Sequence, residues 1–210
     1  MDQRIHECVA RLAPHLDLTR VAVTGGVAID LALGTAARRA CRPDAPAPDL
    51  DLIADAPDVV SPSVVDEFLV SHFHLPQPGY PKFLVQLVDP TTAVRVDVFP
   101  DSLGLLPRTT PRAIAGLDVR VLEPCALLEH KLALLAGAST ERRVDEKHHA
   151  DAVLLARHCR RQIQAVPAAV LERSQYARDP DAACPRCEAS RHPGFPLAEK
   201  RRILAILGHV

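Results

Sequence analysis

Three aspartates and two glycines carry the chemistry in this chain. Asp49 and Asp51 flank Leu50 in an apolar stretch, and Asp97 lies within Val94-Arg95-Val96-Asp97-Val98-Phe99. Strand residues two apart share one face, about 6.5–7 Å from each other. Asp49 and Asp51 therefore point together while Leu50 and Leu52 enter the core, and Asp97 alternates with Val96 and Val98 in the same way. If the two strands are neighbours, three carboxylates gather beside Thr24-Gly25-Gly26, a turn that opens a helix. Such a cluster repels itself unless cations fill it, and hard oxygen donors suit Mg²⁺. The glycines carry no Cβ, so a phosphate can approach the backbone, and the helix start offers free N–H groups and a positive dipole end. The combination reads as a site for metal and triphosphate.

The elements that must position these residues follow from periodicity. Residues 1–13 alternate charge with Ile5, Val9 and Leu12, an amphipathic helix. Residues 20–24 read as a short buried strand, and 27–33 as a helix ending at Gly34. The stretch 35–48, rich in Ala, Arg and Pro, reads as a loop before the Asp49 strand. Ser61-Pro62 predicts a helix start, with Val64, Val65, Phe68 and Leu69 as its apolar stripe, broken after His72 by three prolines and a glycine. Strands are predicted at 83–88 and 94–99 around Asp89-Pro90-Thr91-Thr92, and again at 117–122. From Glu123 the period becomes helical, through Leu127, Leu128, Lys131, Leu132 and Leu135, then Ala150, Val153, Leu154 and Arg157. Residues 167–176 and 197–207 add two more helices. The expected class is α/β (α+β): a mixed sheet with flanking helices over residues 1–122, then a helical C-terminal lobe over 123–210.

Composition narrows the classes further. An apolar content of 48% supports a real core, and the net charge of −1 conceals an acidic front and a basic tail. From Arg157 onward there are ten Lys/Arg against five Asp/Glu, a surface suited to RNA, a triphosphate, an acidic partner or plain solvation. No signal peptide is recognisable and no apolar run approaches the ~18–20 residues that span a bilayer. With six scattered cysteines, the expectation is a cytoplasmic protein with no membrane partner. Aromatics at 3%, without Trp, argue against a base-stacking platform. Cys184 and Cys187, with His192, form half of a zinc pattern; His158, Cys159 or His209 would have to complete it, and two free thiols is the other reading.

The ordered set Gly25-Gly26, Asp49-Leu50-Asp51 and Asp97 resembles the nucleotidyltransferase superfamily of the DNA polymerase β type. Leu122-Glu123-Pro124, His130-Lys131-Leu132 and Lys147-His148-His149-Ala150-Asp151 are similar to its AbiEii/MenT-like, toxin-like branch. The resemblance implies that Asp49 and Asp51 bind two Mg²⁺ ions. It implies that Asp97 completes the ion nearer the acceptor hydroxyl and receives its proton. Gly25 and Gly26 would cradle the terminal phosphates, Lys131 would reach the triphosphate, with Lys147 a second candidate, and Asp151 would stand in the same site. The implied activity is Mg²⁺-dependent transfer of a nucleoside monophosphate from a nucleoside triphosphate to an RNA end such as a tRNA 3′ terminus. A toxin of this kind would have a cognate antitoxin as protein partner.

Two features depart from the pattern: Thr24 stands where an apolar residue is usual, and Arg38, Arg39 and Arg42 are not placed as in the common motif. Two other readings stay open, adenylylation of an aminoglycoside-like small molecule and a degenerate fold that only binds. Three residues also have bland alternatives. Lys147 and Asp151 are spaced as a helix-surface ion pair, and Lys131 can snorkel from an apolar face. Arg95, on the face of Asp97, can pair with it or touch the nucleotide.

Overall fold

The computed structural model describes residues 2–34, 49–76, 83–137 and 146–159, without the side chains of 135–137, 146, 147 and 149. The loop arginines of 35–48, the Cys184/Cys187 pair, the helices expected at 167–176 and 197–207 and most of the basic tail lie outside the described residues. The chain divides into two units, one containing residues 2–34 and 49–123 and the other beginning at Pro124.

In the first unit, seven strands form one sheet: β1 (Val21–Thr24), β2 (Asp49–Ala54), β3 (Leu69–His74), β4 (Leu84–Val88), β5 (Arg95–Pro100), β6 (Thr109–Ile114) and β7 (Leu117–Leu122). Their order is β3-β4-β5-β2-β1-β7-β6. β2 runs parallel to β5 and β1 parallel to β7, while every other pairing is antiparallel. The mixed α/β sheet expected from the sequence is thus the one the chain forms. β1 is buried along its whole length, whereas β2 and β5 bury one face and leave the other partly open. Val21, Ala22 and Val23 are buried in β1, as are Leu50 and Leu52 in β2 and Val96 and Val98 in β5. Each Val or Leu fully buried contributes about 1.5–3 kcal/mol.

Helix α1 (Gln3–Leu12) starts at Asp2, whose side chain accepts from the Arg4 N–H, and buries Ile5, Cys8, Val9 and Leu12 at helical spacing. It is tied to the turn between β4 and β5. Arg11 Nε lies 3.4 Å from Asp89 Oδ1, and the fully buried Asp89 carboxylate also accepts from the Thr91 N–H at 2.9 Å and the Thr92 hydroxyl at 2.8 Å. A charge buried there would be costly without those partners. With them it locks the turn, and so the register that sets Asp97 opposite Gln86.

Two expectations are corrected. The helix expected from Ser61 is a single 3₁₀ turn, Pro62–Asp66, capped by the Ser61 side chain, and the chain then enters β3. Of the expected apolar stripe, Val64 and Phe68 are buried, but Val65 and Leu69 are 63% and 61% exposed. Leu69, Val70 and Phe73 suit a strand, and pairing with β4 overrides the helical spacing. β6 went unforeseen because Pro111 sits inside it; as the outermost strand it needs no N–H on its open side. Ala115 and Gly116, at φ 54° and 77°, form the two-residue hairpin into β7, both with the positive φ that such turns demand.

The second unit contains α3 (Pro124–Gly137) and α4 (Glu146–Cys159), packed on each other. Leu127, Leu128 and Leu132 are buried on α3, and Ala152, Leu155, Ala156 and Cys159 on α4. Among the described residues, no helix is long and apolar enough to cross a membrane.

Candidate active site

β2 and β5 are neighbours, in parallel register. Asp51 pairs with Asp97, Asp49 with Arg95, and Leu50 and Leu52 with Val96 and Val98. Registered partners share a face, so the three aspartates and Arg95 lie on one side of the sheet, while the buried aliphatics take the other. The Asp51–Asp97 row continues both ways, to Thr24 of β1 and to Gln86 of β4. One polar row thus crosses four strands: Gln86, Asp97, Asp51, Thr24.

Immediately after Thr24, helix α2 (Gly25–Leu33) begins. Gly25 has φ +62°, and a Cβ built there would stand 2.7 Å from Asp51 Cγ. Only glycine lets the backbone turn this way against that carboxylate. The structure therefore sets the glycine turn against the first carboxylate pair. Gly26 follows half-buried as the second residue of α2.

Arg95 does not remain ambiguous. Its terminal nitrogen donates to Asp49 Oδ2 at 3.0 Å and its Nε lies 3.3 Å from Asp97 Oδ2. One guanidinium bridges carboxylates of both strands. The other oxygen of Asp97 accepts from Gln86 Nε2 at 2.8 Å, and Gln86 Oε1 lies 3.2 Å from the Ser71 hydroxyl on β3. Sequence reasoning missed Gln86 and Ser71. The available signal was one polar residue alternating with Val85 and Leu87, which means little until the register places it beside Asp97.

Lys131 and Asp151 belong to the second unit and bind each other, Nζ to Oδ2 at 3.1 Å, with only 7% and 1% of their side chains exposed. Lys131 does not snorkel to water, and it pairs with Asp151 across two helices. His148 is part-buried, with Nδ1 3.2 Å from Lys131 Nζ. The side chain of Lys147 lies outside the described residues.

The carboxylate face suits a hard divalent cation by donor type. Asp51 and Asp97 stand opposite each other on adjacent strands, about 4.8 Å apart in backbone. Arg95 is a stand-in that marks the face as one that accepts positive charge. As placed, however, no group of three or more His, Cys, Asp and Glu among the described residues is gathered tightly enough to hold a metal. Asp49 is offset by two residues along β2 and its Oδ2 accepts from Arg95.

No family model and no curated protein matches the chain. Among solved structures it is similar to JHP933 from Helicobacter pylori, at 14% identity and TM-score 0.47, over 99% of this chain and 91% of that one. It is also similar to an antigenic nucleotidyltransferase-like protein from Paracoccidioides brasiliensis, at 18% identity and TM-score 0.44, over 73% of this chain and 74% of that one.

Proposed function

We propose that the polar face of β2 and β5 is the catalytic centre of a nucleotidyltransferase, which moves a nucleoside monophosphate from a nucleoside triphosphate to an acceptor hydroxyl. The observation that carries this reading is the register: Asp51 opposite Asp97, Asp49 two residues earlier, and Gly25 packed on Asp51. In the reaction the acceptor oxygen bonds to the α-phosphorus, the bond to pyrophosphate breaks, and the hydroxyl proton passes to Asp97. Asp49, Asp51 and Asp97 would hold Mg²⁺. When bound, Mg²⁺ supplies charge neutralisation at the entering and leaving oxygens of the in-line displacement. Asp97 is oriented for its part by Gln86, which leaves its second oxygen toward Arg95. The first N–H groups of α2, at Gly25 and Gly26, favour phosphate oxygens. Positioning and preorganised charge account for most of the rate in chemistry of this kind.

The acceptor we propose is an RNA end, with a tRNA 3′ terminus first, and the protein acts as a toxin restrained by an antitoxin partner. This part rests on the resemblance of Leu122-Glu123-Pro124, His130-Lys131-Leu132 and Lys147-His148-His149-Ala150-Asp151 to the toxin-like branch. The same resemblance gives Lys131 and Lys147 to the nucleotide and sets Asp151 with the catalytic residues. Lys131 is already engaged by Asp151, so that role requires their ion pair to open.

The test is a screen of each α-labelled nucleoside triphosphate, with Mg²⁺, against total RNA and against aminoglycosides. Label on RNA, lost in Asp51→Asn and Asp97→Asn variants that keep their fold, is the expected result. Label only on the small cationic acceptor replaces RNA by the second acceptor class. Near-normal turnover in either variant removes that aspartate from the site.

A further inference from the structure

Among the described residues, Arg95 is a cation seated against the carboxylates, and it engages one from each strand. Its contacts to Asp49 and Asp97 use the Oδ2 atoms of both, and Gln86 holds the remaining Asp97 oxygen. A divalent ion drawing Asp49 and Asp97 together competes with the guanidinium for the same lone pairs. The arginine is also placed to yield: its side chain is 45% exposed, whereas those of Asp49 and Asp97 are 29% and 17% exposed. A half-solvated guanidinium recovers hydration as it leaves, and exposed ion pairs are individually weak. The cost of displacement is therefore moderate, neither negligible nor prohibitive.

We propose that Arg95 is a built-in competitor of the metal, a resident counter-cation that sets the divalent-ion concentration at which the carboxylate face fills. This rests on the metal-site reading above and adds its regulation. While Arg95 is seated, Asp49 and Asp97 share its single positive charge and Asp97 is engaged at both oxygens, so it is not open to an acceptor hydroxyl. Filling the face frees Asp97 Oδ2 from the guanidinium at the same time. Metal loading and readiness of the proton acceptor are thus one event. A lysine at this position would keep the charge but lose the fork that spans both strands.

The experiment is a titration of the full-length protein with Mn²⁺, followed by electron paramagnetic resonance of the free ion, with no nucleotide present. Wild type is compared with Arg95→Gln, Arg95→Lys and Arg20→Gln; the last removes an arginine that binds Asp55 and Asp58 instead. Arg95→Gln should bind Mn²⁺ about 3- to 10-fold tighter than wild type, as expected from losing two partly exposed contacts. Arg95→Lys should fall between the two, and Arg20→Gln should match wild type. A purely structural role for Arg95 gives the opposite sign, because a loosened site binds metal more weakly. Equal or weaker binding by Arg95→Gln overturns the competitor while leaving the metal site standing. Absence of Mn²⁺ binding from every protein overturns the metal site and this inference with it.

Discussion

The backbone of Gly25 turns directly against the Asp51 carboxylate, so close that a Cβ there would lie 2.9 Å from the Asp51 Cβ. The glycine turn and the paired acids, more than twenty residues apart in the chain, are therefore one packed unit. Gly25→Ala must strain a backbone at φ +62° and push Asp51 aside. Left-handed geometry alone costs roughly 1–2 kcal/mol in a residue with a Cβ. A displacement near 1 Å at a reacting centre costs about 100-fold in rate. Thermal unfolding and labelled-nucleotide transfer should register both losses. Gly116→Asn is the control: it too has positive φ, but open space surrounds it, and Asn tolerates that conformation. It should leave transfer unchanged.

Gln86 is expected to matter through Asp97. Its amide end is set by the Ser71 hydroxyl, so that Nε2 faces the carboxylate. Gln86→Ala removes that donor without touching either acid on β2. Partners that orient metal-site ligands typically contribute about 10- to 100-fold. The expected signature is a fall in kcat of that size with KM for the triphosphate nearly unchanged, measured by steady-state transfer. Gln86→Glu should be worse than Gln86→Ala, because it sets a fourth carboxylate against Asp97. Equal kcat values in wild type and Gln86→Ala would leave the glutamine a mere strand residue.

The Lys131–Asp151 pair should behave as a buried ion pair between α3 and α4. Either single change, Lys131→Met or Asp151→Leu, strands one charge in a place with almost no solvent. Such losses run about 3–5 kcal/mol. The double variant, with both charges gone, should recover most of the stability, since well-packed apolar replacements are often neutral. Urea unfolding of the four proteins closes the cycle. Additive losses would show that the two side chains do not depend on each other.

Cys8 gives the chain a pH dependence on the alkaline side. Burial, with Asp89 beside it, pushes its thiol from 9.0 up to about 12. The unfolded chain therefore releases this proton at lower pH than the folded one. The stability tied to the group is whole below pH 9, declines as pH rises and is lost above pH 12. In Cys8→Ala that decline is absent. The difference in urea midpoint between wild type and variant should therefore be constant through neutral pH and shift against wild type in alkali. A constant difference across the alkaline range would show that the thiol titrates alike in both states.

The local code was sufficient wherever short-range physics decides. Alternation alone assigned Leu50, Leu52, Val96 and Val98 to the core and the three aspartates to the opposite face, and the structure agrees. The helices at the start of the chain and after Glu123 were equally legible from their apolar spacing. The region after Ser61 was not. Its residues fit a helical stripe and a strand equally well, and only pairing with β4 chose between them.

The sequence alone determined which residue types were available: acids on strand-like alternation, glycines at a helix start, and an arginine two residues before the last aspartate. The tertiary structure decided who meets whom. That Asp51 lies opposite Asp97, that Arg95 reaches back to Asp49, and that Gln86 supports Asp97 all depend on β2 and β5 lying side by side in one register. The reason is the strand period of two: sliding one strand by a single residue would turn its acids into the core and its valines into the site. Neither strand carries that choice in its own residues. The burial of Leu50, Leu52, Val96 and Val98 on one face, together with the Asp89 turn that joins β4 to β5, makes it.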